Sequence, residues 1–292
     1  MTRRVISAYY VGIFDRFSCI IRALRYVNTR PRRAKLSKLR ILLVTSRITY
    51  MPENYLALFE SFLNKRADWV KGLVLLDNLD KKTLLQSLGL PLLGVRKLGL
   101  QLIKNILETP LKKREILFEK YNIPTMTWDT MNSESALDFV DRHSIDLIIN
   151  LRTRCIYKSE ILNAPKIGCL NIHHGLLPNY KGTFCDLYAL TENRDAGFSI
   201  HEMNEKIDAG KIHKIIPVAK KEDIRVKNKF CYLKYLSLTS EKEAAALFEL
   251  CQEIEKLNKF PEGLPNNPTK KVFTKNPDRK KIKTFLNKGF LL

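Results

Sequence analysis

Along the chain, short apolar runs alternate with stretches in which apolar residues recur every three to four positions. The runs are RILLVTS (40–46), WVKGLVLL (69–76), a short one near 123–128, IDLIINL (145–151) and KIGCLNIH (166–173). Runs of this length, apolar at successive positions, read as strands buried on both faces. Between them, PENYLALFESFLNK (52–65) reads as a helix with Pro52 in its first turn. Residues 82–120 are rich in Leu and Lys and predict helix, interrupted at Gly89, Pro91, Gly94 and Pro110. A further helix is expected over 133–143, with Ser133 as its N-cap. Strands alternating with helices imply βαβ units, and hence an α/β fold: a Rossmann-like, mostly parallel sheet flanked by helices.

Past residue 173, TFCDLYALTEN (183–193) reads as a helix, and AGFSIHEM (196–203) and KIHKIIPVA (211–219) as two strands joined by NEKIDAG. Residues 228–259 suggest helix. The proline- and lysine-rich last thirty residues suggest a tail wrapping the surface. The expected organisation is a basic extension over 1–39, a catalytic domain over 40–219, and a helix and basic tail over 220–292 packing on that domain.

Charge changes the reading of the two ends. Eleven of the Lys and Arg residues, against one acid, fall in residues 1–40, so +10 of the net +21 sits there. Within 9–27, Tyr10, Ile13, Phe14, Phe17, Ile20, Ile21 and Leu24 have helical spacing. Three readings of this segment stay open: a helix docked on its own domain, a helix that binds a partner, or one lying on an anionic membrane surface. No run reaches the ~18 apolar residues of a membrane span. The six cysteines are scattered without metal-ligand spacing. Reduced thiols in the cytoplasm, with peripheral contact at the inner membrane surface as an open variant, and no bound metal are therefore expected.

The densest chemistry lies in CLNIHHGLLPNYKG, 169–182. Ligands of open α/β sheets bind outside the carboxyl ends of the strands. Asn171 and His173 stand at such an end, two residues apart and so on one side of the strand. His174 should point the opposite way, toward the surface or a substrate, and His201 reads as structural.

Asn171-x-His173-x-x-Leu176-Leu177-Pro178-x-Tyr180-Lys181-Gly182, with Gly197-Phe198-Ser199-Ile200-His201 and Ile207-Asp208-Ala209-Gly210-Lys211-Ile212, resembles the 10-formyltetrahydrofolate-dependent formyltransferase family. That family includes methionyl-tRNA, glycinamide-ribonucleotide and amino-sugar N-formyltransferases. The resemblance is specific from about Asp146 to Ile212 and loose over 40–145. It implies Asn171, His173 and Asp208 as catalytic residues, with the Asn amide and a protonated imidazole donating to the formyl oxygen as it gains charge. It also implies a pterin lying against Leu151, Arg152, Leu177, Asn204 and Ile207. Gly175 stands where many members have Ser. No glycine-rich loop follows the first strand, which argues against glycinamide ribonucleotide. The helix-and-tail reading of the C-terminal residues, where methionyl-tRNA enzymes carry a separate domain, weakens tRNA as acceptor. The expected partners are folate and a small anionic amine, such as a nucleotide-linked amino sugar. The alternatives are methionyl-tRNA, water as in formyltetrahydrofolate hydrolysis, and a non-catalytic scaffold on the same fold. The sequence leaves the oligomeric state open.

Overall fold

Every residue of strand β1 (Ile41–Ser46) is buried, because its two faces pack against different layers. Ile41 and Leu43 point into a core with Leu58, Phe59 and Phe62 of α1 (Pro52–Arg66), while Leu42 and Val44 point into a second core. In this computed structural model, residues 38–267 and 272–292 are described. The expected helix over 9–27 lies outside them, as does the basic extension up to residue 37. Residues 38–292 form one compact unit.

The chain continues through β2 (Val70–Leu76), α2 (Lys81–Leu92), α3 (Arg96–Glu108), α4 (Lys113–Glu119), β3 (Thr125–Trp128), α5 (Glu134–Arg142), β4 (Leu147–Leu151), α6 (Ser159–Asn163) and β5 (Gly168–His173). Next come β6 (Tyr180–Gly182), α7 (Cys185–Thr191), β7 (Ala196–Glu202) and β8 (Ile212–Ala219). The main sheet has seven strands in the order β3-β2-β1-β4-β5-β7-β8. Its first five strands are parallel; β7 runs antiparallel to β5, and β8 to β7. The chain moves outward from β1 to β3, then returns to lay β4 on the other side of β1. Such a reversal of strand order opens a crevice at the carboxyl edge.

The expected helix boundaries around the sheet hold closely. Pro52 starts α1, and Ser133 caps α5 by accepting the Ala136 N–H. Pro91 does not end α2; it sits inside that helix, and the break comes at Gly94.

The C-terminal third departs most from expectation. Residues 228–259 open on a short strand, β10 (Lys229–Cys231), which pairs with β9 (Arg225–Val226), before α8 (Tyr232–Ser237) and α9 (Ser240–Leu257). The basic tail is not a surface wrap. Its β11 (Val272–Thr274) pairs in parallel with β6, and β12 (Phe290–Leu291) pairs with β10. Between them, α10 (Arg279–Asn287) buries Ile282 and Phe285 in a third core with Leu187, Tyr235 and Phe290. Ile282 and Phe285, three positions apart, share one face of α10, so the helix can dock while most of its lysines stay in water.

Gly182 makes the β6–β11 contact possible. Its φ is +103°, and a Cβ there would come within 2.1 Å of the Thr274 carbonyl oxygen. Both the backbone conformation and the space exclude a side chain. Gly182→Ala is expected to lower stability by about 2 kcal/mol or more, measured by urea unfolding, and to increase proteolysis around residues 272–274.

Candidate active site

Strand register builds the site's central feature. Asn150 of β4 pairs with Asn171 of β5, and Asn171 pairs with His201 of β7. The three side chains form one cross-strand row. Asn150 Nδ2 donates to Asn171 Oδ1 at 2.8 Å, and Asn171 Nδ2 lies 3.1 Å from His201 Nε2. His201 Nδ1 lies 2.7 Å from the Glu202 carbonyl oxygen. A carbonyl only accepts, so Nδ1 carries the proton and Nε2 of the neutral ring accepts from Asn171. That orients the Asn171 amide and leaves its second N–H free. Thr153 Oγ1 closes the other end, donating to Asn150 Oδ1 at 2.7 Å. Burial pushes His201 down to about 4, with the neighbouring His173 ring acting in the same direction, so the ring is neutral at pH 7.

His173, at the end of β5, has its Nε2 2.9 Å from the Tyr180 carbonyl oxygen, to which it donates. Its Nδ1 faces Asp208 Oδ1 at 3.5 Å. Burial lowers the His173 pKa; the Asp208 charge pulls upward without overcoming it. The expected charged imidazole is therefore a neutral one, with an open lone pair on Nδ1. Asp208 itself sits at φ +50° in the β7–β8 loop. Its Oδ2 accepts the Gly182 N–H at 3.1 Å, and Asn266 Nδ2 donates to the Asp208 and Gly210 carbonyls at 3.0 and 2.9 Å. Oδ1 is also 3.7 Å from His201 Nε2.

His174 points away from His173, as strand alternation requires, but into the protein rather than to the surface. Its Nδ1 is 3.1 Å from Asp186 Oδ2, and its Nε2 bonds Glu243 Oε1. A carboxylate thus faces each ring nitrogen. Burial pushes both carboxyls up, but the contacts with His174 and the nearby Arg152 outweigh it and hold them below their ordinary values. This clamp ties the end of β5 to α7 and α9. Gly175 then leaves no room for a side chain: a Cβ would meet His173 Nε2 at 2.6 Å and Cys185 Cβ at 2.8 Å. Ser199 fixes the loop by donating to the Gly175 carbonyl at 2.8 Å and accepting the Leu177 N–H at 3.0 Å.

These groups open on a cavity of about 730 Å³ that reaches from Ser46 and Tyr55 to Asn276. Asn171, His173 and Asp208 line it together, as do Arg152, Asn204 and Ile207. Leu151 and Leu177 stand behind the wall: both are buried, and Leu151 packs in the core beneath the sheet. His201, read from sequence as structural, lines the cavity. Asn150 and the tail residues Phe273 to Asn276 also line it. Asn150 carried a signal, a polar side chain within an apolar run, but its partner was visible only in the register. Among the described residues, no group of three His, Cys, Asp or Glu side chains gathers as a metal site.

Residues 112–229 match the sequence profile of the formyl transferase family. Over this stretch the chain is similar to that family. The row, His173 and Asp208 all fall within the stretch. The chain is similar to methionyl-tRNA formyltransferases of Enterococcus faecalis, 32% identical over 124 residues, and Thermotoga maritima, 30% identical over 125. These matches span 41% and 42% of this chain and 39% and 37% of those proteins. The chain thus matches about two-fifths of the length of these curated relatives. In fold, it resembles a sugar N-formyltransferase from a Shewanella species, with a TM-score of 0.53, 17% identity, and coverage of 86% of this chain and 88% of that one. It also resembles a phosphoribosylglycinamide formyltransferase from Anaplasma phagocytophilum, with a TM-score of 0.51, 15% identity, and coverage of 82% and 100%. The matched stretch does not contain the whole cavity, since Ser46, Tyr55 and the 273–276 segment lie outside residues 112–229.

The buried His201 makes a stability prediction. The folded ring titrates near 4 and an unfolded one near 6.5. Below pH 6.5 the unfolded chain therefore binds the extra proton, and stability falls as pH falls, by roughly 3 kcal/mol at pH 4 from this residue alone. Urea unfolding from pH 7 to 4 should show a slope shallower by about one proton in His201→Gln than in the wild type.

Proposed function

We propose that this chain transfers the formyl group of 10-formyltetrahydrofolate to a primary amine on a small anionic acceptor. The observation that carries the reading is the convergence of Asn171, His173 and Asp208 on one cavity, within residues matched to formyl transferases. Their chemistry suits acyl transfer to nitrogen. The free N–H of Asn171 is available to the formyl oxygen as negative charge grows on it. The neutral His173 Nδ1 accepts the proton that the attacking amine sheds. Asp208, 3.5 Å away, steadies the ring while it is charged. The same proton then passes to the folate nitrogen as its bond to the formyl carbon breaks.

The cavity walls fit a flat heterocycle. Ile156 and Ile207 line the cavity and are 62% and 58% exposed, so their apolar side chains are available to cover a ring. Backbone of the 152–156 and 203–208 segments lies beside them and can read a pterin's donor-acceptor edge. Arg154, Lys206 and Lys275 also line the cavity, which favours an acceptor bearing negative charge, such as a nucleotide-linked amino sugar. The second reading is methionyl-tRNA as acceptor. The names of the curated relatives and the net charge of +21 favour it.

A panel of amines monitored by tetrahydrofolate release separates these readings. Turnover with nucleotide-linked amino sugars supports the first and turnover with methionyl-tRNA the second; formate release without amine would make the chain a hydrolase, and silence with every acceptor would leave a binding protein. Asn171→Ala should lower kcat roughly 10²–10³-fold. Asp208 raises the His173 pKa, so Asp208→Asn should lower kcat and also move the acid limb of its pH profile to lower pH. Asn150→Leu releases the Asn171 amide, and a loss in kcat on the order of tenfold to a hundredfold is expected, with the KM for folate little changed.

A further inference from the structure

Ten of the seventeen exposed large apolar side chains among the described residues fall between Leu79 and Ile116. Six of them, Leu84, Leu85, Leu88, Leu92, Leu100 and Leu107, lie on the helical hairpin of α2 and α3, whose helices pack against each other. On α2, Leu84, Leu85, Leu88 and Leu92 are 48, 61, 57 and 89% exposed. Their spacing of one, four and eight residues from Leu84 puts them on one stripe. Thr83 and Gln86, on the other side of that helix, line the cavity. On α3, Leu98 packs in the core and the buried Leu102 lines the cavity, while Leu100 and Leu107 are exposed, as is Leu111 just beyond. A helix apolar on two sides is built for two partners, and on α3 the side bearing Leu100 and Leu107 stays exposed.

The charges around these leucines say what the second partner is. Residues 79–116 hold eight Lys and Arg against three acids. Lys81, Arg96, Lys97 and Lys112 are exposed beside the leucines. Leucines among exposed cations match the boundary between the acyl chains and anionic headgroups of a bilayer. A second copy of the chain would bring cations onto cations, against a net charge of +21 on each. Residues 1–37, themselves strongly basic, would meet the same repulsion. We propose that the α2–α3 hairpin docks the protein peripherally on an anionic lipid surface, its exposed leucines entering the headgroup region. The cavity then lies one helix thickness, about 10 Å, from the lipid. This inference stands apart from the formyl-transfer reading and needs no turnover to test.

The test is co-sedimentation of the full chain with vesicles, either of equal parts phosphatidylcholine and phosphatidylglycerol or of phosphatidylcholine alone. The wild type should bind the anionic vesicles and hardly bind the zwitterionic ones. Binding should fall about tenfold or more when Leu85→Gln, Leu88→Gln and Leu92→Gln are combined, and also when salt rises from ~0.1 to ~0.5 M. Unchanged binding by the triple variant would place the lipid contact elsewhere and overturn the proposal. So would a wild type that is dimeric without lipid and becomes monomeric in the variant, since a second copy would then cover this face. Leu92→Trp gives an independent readout: added anionic vesicles should shift its extra emission to the blue, and the absence of a shift would also overturn the proposal.

Discussion

The site rests on the register between β4, β5 and β7. Side chains alternate across a strand, so a slip of one residue would send Asn171 to the opposite face and break both its bonds. In the observed register, Asn150, Asn171 and His201 meet as direct cross-strand partners. The polarity of the row follows from a single group that cannot donate, the Glu202 carbonyl. From there each hydrogen bond fixes the next, through the imidazole and two amides to the Thr153 hydroxyl. The amide at the centre is oriented by neighbours that cannot reverse without leaving a buried polar atom unpaired.

The two adjacent histidines show how differently burial acts on opposite faces of one strand. His173 has one carboxylate near it at a moderate distance, and loss of water dominates, so its ring stays neutral. His174 has a carboxylate on each nitrogen, and its contacts help hold both carboxyls below their ordinary values despite their burial. Buried ions of this kind are costly unless fully paired. Here Asp186 also accepts from the Tyr232 hydroxyl at 2.8 Å and from the Leu187 N–H at 2.8 Å, so its oxygens are occupied. The clamp holds the strand end that presents His173, and the neighbouring glycine lets the chain turn without pushing the imidazole aside.

The C-terminal segment completes what the sheet begins. Asn266 holds the loop that carries Asp208, β11 pairs with β6 beside Gly182, and Phe273 to Asn276 form part of the cavity wall. The tail is anchored in turn by its own small core and by the α2–α3 hairpin, where the Lys97 N–H donates to the Leu292 carbonyl at 2.8 Å. The hairpin with the most exposed apolar surface is thus coupled to the segment that closes one side of the cavity.

Local pattern alone was enough for the seven long strands, the helix starts at Pro52 and Ser133, and the likeness carried by Asn171, His173 and Asp208, because apolar periodicity, caps and closely spaced motifs are written in neighbouring residues. Distant pairing was not legible. Asn150 reads as one polar residue in an apolar strand until register sets it beside Asn171, and His201 reads as a core histidine until the antiparallel turn to β7 brings it to the same row. His174 looked free because its carboxylates lie 12 and 69 residues away. The tail looked like solvated lysine because three apolar residues spread over nine positions gain meaning only once a complementary surface is present. Chain order decides which elements form; only the tertiary structure decides which polar groups lose water together, and that loss sets their charge and orientation.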